Sequence, residues 1–147
     1  MMQAHPNTDR EQVIDTMITL TRLSNLHRAI VAGDDSMELC LALRQRGFVR
    51  VATPATPRLA RGQRTIALVT ARQSPSATEA VLMQVSQFLA ANATITVLID
   101  SRDGNTSLKI RRKLEQIGFR IEAGVRCHEG LVLSAYRQAF AQMENVA

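Results

Sequence analysis

The residues that could do chemistry are few and unevenly placed in this 147-residue chain. The densest group is Gly33-Asp34-Asp35-Ser36. It is a glycine closing an apolar run, followed by two carboxylates and a hydroxyl. Carboxylates there suit the exposed amides and positive dipole end of a following helix, so Asp34, Asp35 and Ser36 read first as helix caps. Arginine is the second theme. Net charge is +5, and all basic residues except Lys109 and Lys113 are arginine. From Cys40 to Thr78 there is no Asp or Glu, yet Arg44, Arg46, Arg50, Arg58, Arg61, Arg64 and Arg72 lie there. Such a stretch is commonly a solvated face, but it also raises the local positive potential and can attract phosphates or acidic partners. Phe48 is its only aromatic residue, so the stacking platform of a nucleic-acid groove is missing, and nucleic acid is not the favoured partner.

Metal chemistry has little to build on. Cys127-His128 is the one adjacent pair of soft ligands, and two neighbours do not make a four-ligand site. Cys40 is expected in the core and Cys127-His128 in a turn. The opening Met1-Met2-Gln3-Ala4-His5-Pro6 lacks an apolar signal core, so a cytoplasmic location with reduced thiols is expected. No apolar run approaches the roughly 18 residues that cross a bilayer. Hydrophobic residues are 46% and charged residues 21%, as in a soluble globular domain. The length suits one domain over 1–147, with a helical lead-in at about 9–26 and a core at about 28–137.

The elements that would position these groups follow from periodicity. Thr8-Asp9-Arg10-Glu11 fits a capping box. Val13, Ile14, Met17, Ile18, Leu20 and Leu23 then give an amphipathic helix over 9–26. Ala29–Gly33 reads as a buried strand, and Leu39, Cys40 and Leu43 as the stripe of a helix stopped by Gly47. Val49–Ala52 alternates as a second strand, and Pro54 and Pro57 make the segment to Gln63 a loop. Thr65–Thr70 is a third strand. Ser74-Pro75 opens a helix over 75–91 with Val81, Leu82, Val85, Phe88 and Leu89 inward. Thr94–Ile99 is a strand covered on both faces, and a loop from Asp100 to Asn105 leads to a helix through Leu108, Ile110, Leu114 and Ile117. Phe119–Val125 and Leu131–Tyr136 form a closing hairpin around His128-Glu129-Gly130, and the tail from Arg137 adds a helical turn or two. The expected fold is a three-layer α/β sandwich. Its twisted sheet has about six strands, mostly parallel, with a C-terminal antiparallel hairpin and an N-terminal helix.

From Leu68 to Arg137 this order resembles the carboxy-terminal half of class I S-adenosylmethionine-dependent methyltransferases. The phrases are Glu79-Ala80-Val81-Leu82, Leu114-Glu115-Gln116-Ile117-Gly118-Phe119 and Leu131-Val132-Leu133-Ser134-Ala135-Tyr136-Arg137. The leading helix and the strand at Ala29 fit that family's amino-terminal half, so the likeness covers about residues 9–137. It implies a Rossmann-like sheet and S-adenosylmethionine at the turn Gly33, Asp34, Asp35, Ser36, with Thr53 and Thr70 at neighbouring strand ends. One carboxylate would then hold the cofactor's ammonium or sulfonium group.

The chain departs from the family at those positions. Val31 stands at the acidic position ending the first strand, and Asp35 and Met37 stand where the second and third glycines of Gly-x-Gly-x-Gly would be. Thr53-Pro54 replaces the acidic residue that binds the ribose. One strand is missing, because the segment from Pro54 to Arg64 is too short for a helix–strand unit. These departures favour a non-catalytic domain that binds an acidic protein partner through the Arg44–Arg72 surface or the helix at 75–91. The alternative is an active methyltransferase on a small molecule, with Arg72, Gln73 and Tyr136 near its mouth and Arg58, Arg61 and Arg64 as further substrate or partner contacts. A third reading comes from Ile30-Val31-Ala32-Gly33-Asp34-Asp35-Ser36. This stretch resembles the acidic turn of a response-regulator receiver, although Thr70-Ala71 stands where its phosphoacceptor would be.

Overall fold

The computed structural model describes residues 6–71, 75–99 and 104–137. In chain order the elements are α1 (Pro6–Thr21), β1 (Ala29–Gly33), α2 (Ser36–Gln45), β2 (Val51–Ala52) and β3 (Arg64–Ala71). They continue with α3 (Pro75–Ser86), β4 (Leu89–Ile99), α4 (Gly104–Gln116), β5 (Phe119–Cys127) and β6 (Gly130–Arg137). The strands form one six-stranded sheet in the order β2-β1-β3-β4-β6-β5. β1 is parallel to β2 and β3, and β3 to β4. β6 runs antiparallel between β4 and β5. That insertion excludes the receiver reading, whose doubly wound sheet is parallel throughout with the order 2-1-3-4-5.

Strand alternation divides the core into two layers. Ile30, Ala32, Ala67, Val69, Ile95, Val97, Leu133 and Ala135 face α3 and α4, where Leu82, Val85, Ile110 and Leu114 meet them. Ala29, Val31, Ile66, Leu68, Leu98 and Val132 face α1 and α2, against Val13, Ile14, Met17, Leu39 and Leu43. Strands buried on both faces read as continuous apolar runs, as these do.

Several boundaries differ from the sequence reading. α1 starts at Pro6, ahead of the Thr8 capping box, because proline's fixed φ is pre-organised for a first turn. It ends at Thr21 and not at 26. Arg22 turns left-handed (φ 56°), and the Leu23 amide donates back to Ile18 O at 3.1 Å, burying Leu23. α3 stops at Ser86, so Phe88 and Leu89 are not on it. The Gln63 and Arg64 amides donate to Phe88 O at 3.1 and 2.9 Å, and Leu89 pairs with Arg64 as the start of β4. An apolar run that suits helix or strand follows the partner that satisfies its backbone. β2 shrinks to Val51–Ala52, leaving Val49 exposed. Cys127 ends β5 opposite Gly130, so only His128-Glu129 make the turn. Ser74, much of the 100–105 loop and the tail beyond Arg137 lie outside the described residues.

Candidate functional site

In parallel sheets of this kind ligands gather outside the carboxyl ends of the strands, where the strand order reverses. Here that place is the crevice between β1 and β3. Gly33 pairs with Thr70 there, and the Asp34 amide donates to Thr70 O at 3.1 Å. Gly33 has φ +114°, and a Cβ on it would lie 1.6 Å from Thr70 O. Glycine is therefore required at 33 by a contact of the protein with itself.

The two carboxylates divide their tasks. Asp34 is exposed, whereas Asp35 occupies the N-cap position of α2 (φ −105°, ψ 27°). Its carbonyl accepts the first helical bond, from the Leu39 amide at 2.9 Å. Its carboxylate makes no capping bond, against the sequence reading, and Oδ2 lies 3.8 Å from Arg10 Nη2 instead. Arg10 also pairs with Glu38. Further along, Arg46 pairs with Asp15, and His128 Nε2 stands 3.7 Å from Asp9. α1 is thus fastened to α2 and to the hairpin turn beside the crevice. Arg10, Val13, Ile14, Asp35, Leu39 and Thr70 line a cavity of about 20 Å³ with Leu98 and Glu129. About 10–15 Å³ of such space holds one water. Thr70 Oγ1 is buried beside it, and no group among the described residues hydrogen-bonds to it.

At the end of β2, Thr53 closes a turn on itself. Its amide donates to Thr56 Oγ1 at 3.2 Å, and its carbonyl accepts from the Thr56 amide at 3.0 Å. Gly33, Asp34, Asp35, Ser36 and Thr70 are brought together at one corner, and Thr53 lies on the neighbouring strand end. Arg72 and Gln73 lie outside the described residues. Tyr136 is not at this mouth. β6 is antiparallel, so Tyr136 pairs with Thr94 and Arg120 towards the amino-terminal end of the parallel strands. Arg64 opens β3 at that same far end, and Arg58 and Arg61 are exposed in the preceding loop.

The sequence reading singles out neither Arg10 nor Arg28. Arg10 carries no signal, because its partners come from α2 by tertiary packing. Arg28 does carry one, beside Arg50 and Arg64 of the Arg44–Arg72 surface. An arginine stands directly before β1 and β2, and Arg64 opens β3.

The chain has the fold of class I S-adenosylmethionine-dependent methyltransferases. It is similar to precorrin-6y C5,15-methyltransferase from Geobacter metallireducens GS-15, with 14% identity, TM-score 0.63, and coverage of 92% of this chain and 94% of that one. It is similar to the ribosomal protein L11 methylase from Lactobacillus delbrueckii subsp. bulgaricus, with 17% identity, TM-score 0.60, and coverage of 90% and 80%. It also resembles magnesium protoporphyrin IX methyltransferase from Synechocystis PCC 6803, solved with S-adenosylmethionine bound. There the identity is 13%, the TM-score 0.60, and the coverage 94% and 86%. At these identities the likeness concerns the fold. No protein-family profile and no curated protein matches the chain. Among the described residues no helix is long and apolar enough to cross a membrane.

Proposed function

We propose that this chain is a methyltransferase-like Rossmann domain that has given up catalysis and works by binding an acidic protein partner. One observation carries the reading: the corner where β1 enters α2 is occupied by the protein's own groups. The freedom of Gly33 is spent on Thr70, and the Asp35 carboxylate turns to Arg10 on α1. Asp35 and Met37 carry side chains where bare backbone would have to approach the methionine part of S-adenosylmethionine. The Thr53–Thr56 turn offers the ribose no carboxylate. These residues do not fit the cofactor.

The active reading has its own support in the fold and in the Thr70 hydroxyl at the crevice, unpartnered among the described residues. Calorimetric titration with S-adenosylmethionine and S-adenosylhomocysteine separates the two. The partner-binding reading expects no heat and no thermal shift at about 1 mM ligand, where a ligand with Kd near 10 μM would add about 2.7 kcal/mol of stability. A Kd below about 100 μM that is lost in Asp35→Lys would overturn it.

A further inference from the structure

The opposite end of the sheet carries the stronger surface signal. β1 begins beside β2 and β3, with Ala29 level with Val51 and Ile66. The residues just ahead of those positions, Arg28, Arg50 and Thr65, therefore stand side by side, about 4.8 Å apart from strand to strand. Arg64 lies one residue further back on β3 and reaches across to both neighbours. The contacts of the three arginines are with backbone carbonyls and one amide. Arg64 Nη1 donates to Ala29 O at 3.3 Å and to Arg50 O at 3.4 Å. Arg50 Nη1 reaches Leu26 O at 3.5 Å, and Arg28 Nη1 reaches Gln63 Oε1 at 3.4 Å. None of the three has a carboxylate within ion-pair distance among the described residues. Arg64 is half-buried, and its Nε has no acceptor among the described residues. Burial, and then the charge of Arg28, hold its pKa below the usual arginine value. Three cations gathered without counter-charge lose free energy by mutual repulsion, and an anion placed over them recovers it.

The same end exposes apolar side chains. Leu26 is 81% exposed and Val49 68%, and they sit two residues and one residue from Arg28 and Arg50. Phosphodiester chains offer such aliphatic groups little, and the exposed aromatic at this end, Tyr136, stands on β6, with β3 and β4 between it and β1. A peptide can match both features. We infer that the amino-terminal pole of the sheet is a docking surface for an acidic protein segment with aliphatic side chains set between its carboxylates. The inference rests on the partner-binding reading above and gives it an address, at the far end from the Gly33 corner.

The test uses the full chain and a short fluorescein-labelled peptide alternating Asp or Glu with Leu, read by anisotropy at about 0.05 M salt so that exposed charges are screened less than at physiological ionic strength. Binding is expected. Arg28→Gln with Arg50→Gln should weaken it about tenfold, and Leu26→Ser with Val49→Ser about threefold. Arg112→Gln, exposed on α4, should leave it unchanged. In case the paired variants fail to fold, hydrogen exchange on the unaltered chain should show peptide-dependent protection at residues 26–29 and 49–51. Three results would overturn the inference: no binding, equal weakening by Arg112→Gln, or displacement of the peptide by a duplex DNA of equal charge at lower concentration. Cofactor binding at the other end would remove the non-catalytic reading, and peptide binding at this pole would still be read independently.

Discussion

Gly33 links the sequence to the geometry at the scale of one residue. Its positive φ and the 1.6 Å approach of a would-be Cβ to Thr70 O leave no room for alanine, because the obstacle is backbone. Gly33→Ala should therefore lower the unfolding free energy by more than about 4 kcal/mol in urea titration. Gly118 gives the contrast. It also has positive φ (+95°), but a Cβ there meets nothing within 4 Å, so Gly118→Ala should cost only about 1–2 kcal/mol. Equal losses at the two positions would refute the close approach of β1 to β3. The glycine is legible in the sequence, but its spacing does not say whether the backbone beside it belongs to a cofactor or to Thr70. Asp35 meets the same limit: it stands at the N-cap the sequence indicates, but its carboxylate turns elsewhere. Its place before a helix is local and legible, whereas Arg10, 25 positions earlier in the chain, is brought to it only by packing.

Among the elements, α1 shows how apolar packing and surface charge divide the work of attachment. Met17 is fully buried under the sheet, with Val13 and Ile14 beside it. Arg10, paired with Glu38, keeps its side chain 39% exposed. Met17→Ala should cost about 2–5 kcal/mol through lost burial and the cavity left behind. Arg10→Ala should cost under about 1 kcal/mol, because exposed ion pairs are weak and salt-screened. Chemical denaturation of the two variants checks the ranking, and a reversed order would mean that α1 is held by its charges. The elements were largely readable from periodicity, as the two-sided burial of Ile95–Ile99 and the Ile110–Leu114 stripe illustrate. Boundaries were not. Leu89 is apolar in either state, and only its pairing with Arg64 makes it strand. Arg22 ends α1 with a left-handed turn that no glycine announces.

Across the whole molecule, stability should fall from the centre of the sheet to its rims. β4 lies between β3 and β6 under helices on both faces, and its Ile95, Val97, Leu98 and Ile99 are almost wholly buried. Native-state hydrogen exchange should find the slowest amides there and the fastest strand amides in β2 and β5. Faster exchange in β4 than in β5 would contradict the strand order. The two rims have a further consequence. β2 offers only Val51 and Ala52, too short a template for another strand. β5 is longer, but its ladder slips between Ile121 and Ala123, and Arg120, Glu122 and Arg126 are exposed along it. A stray extended chain meets a stub on one side and a kinked, charged border on the other. The protein should accordingly resist fibrillar self-stacking in concentrated solution, despite central strands that are buried on both faces.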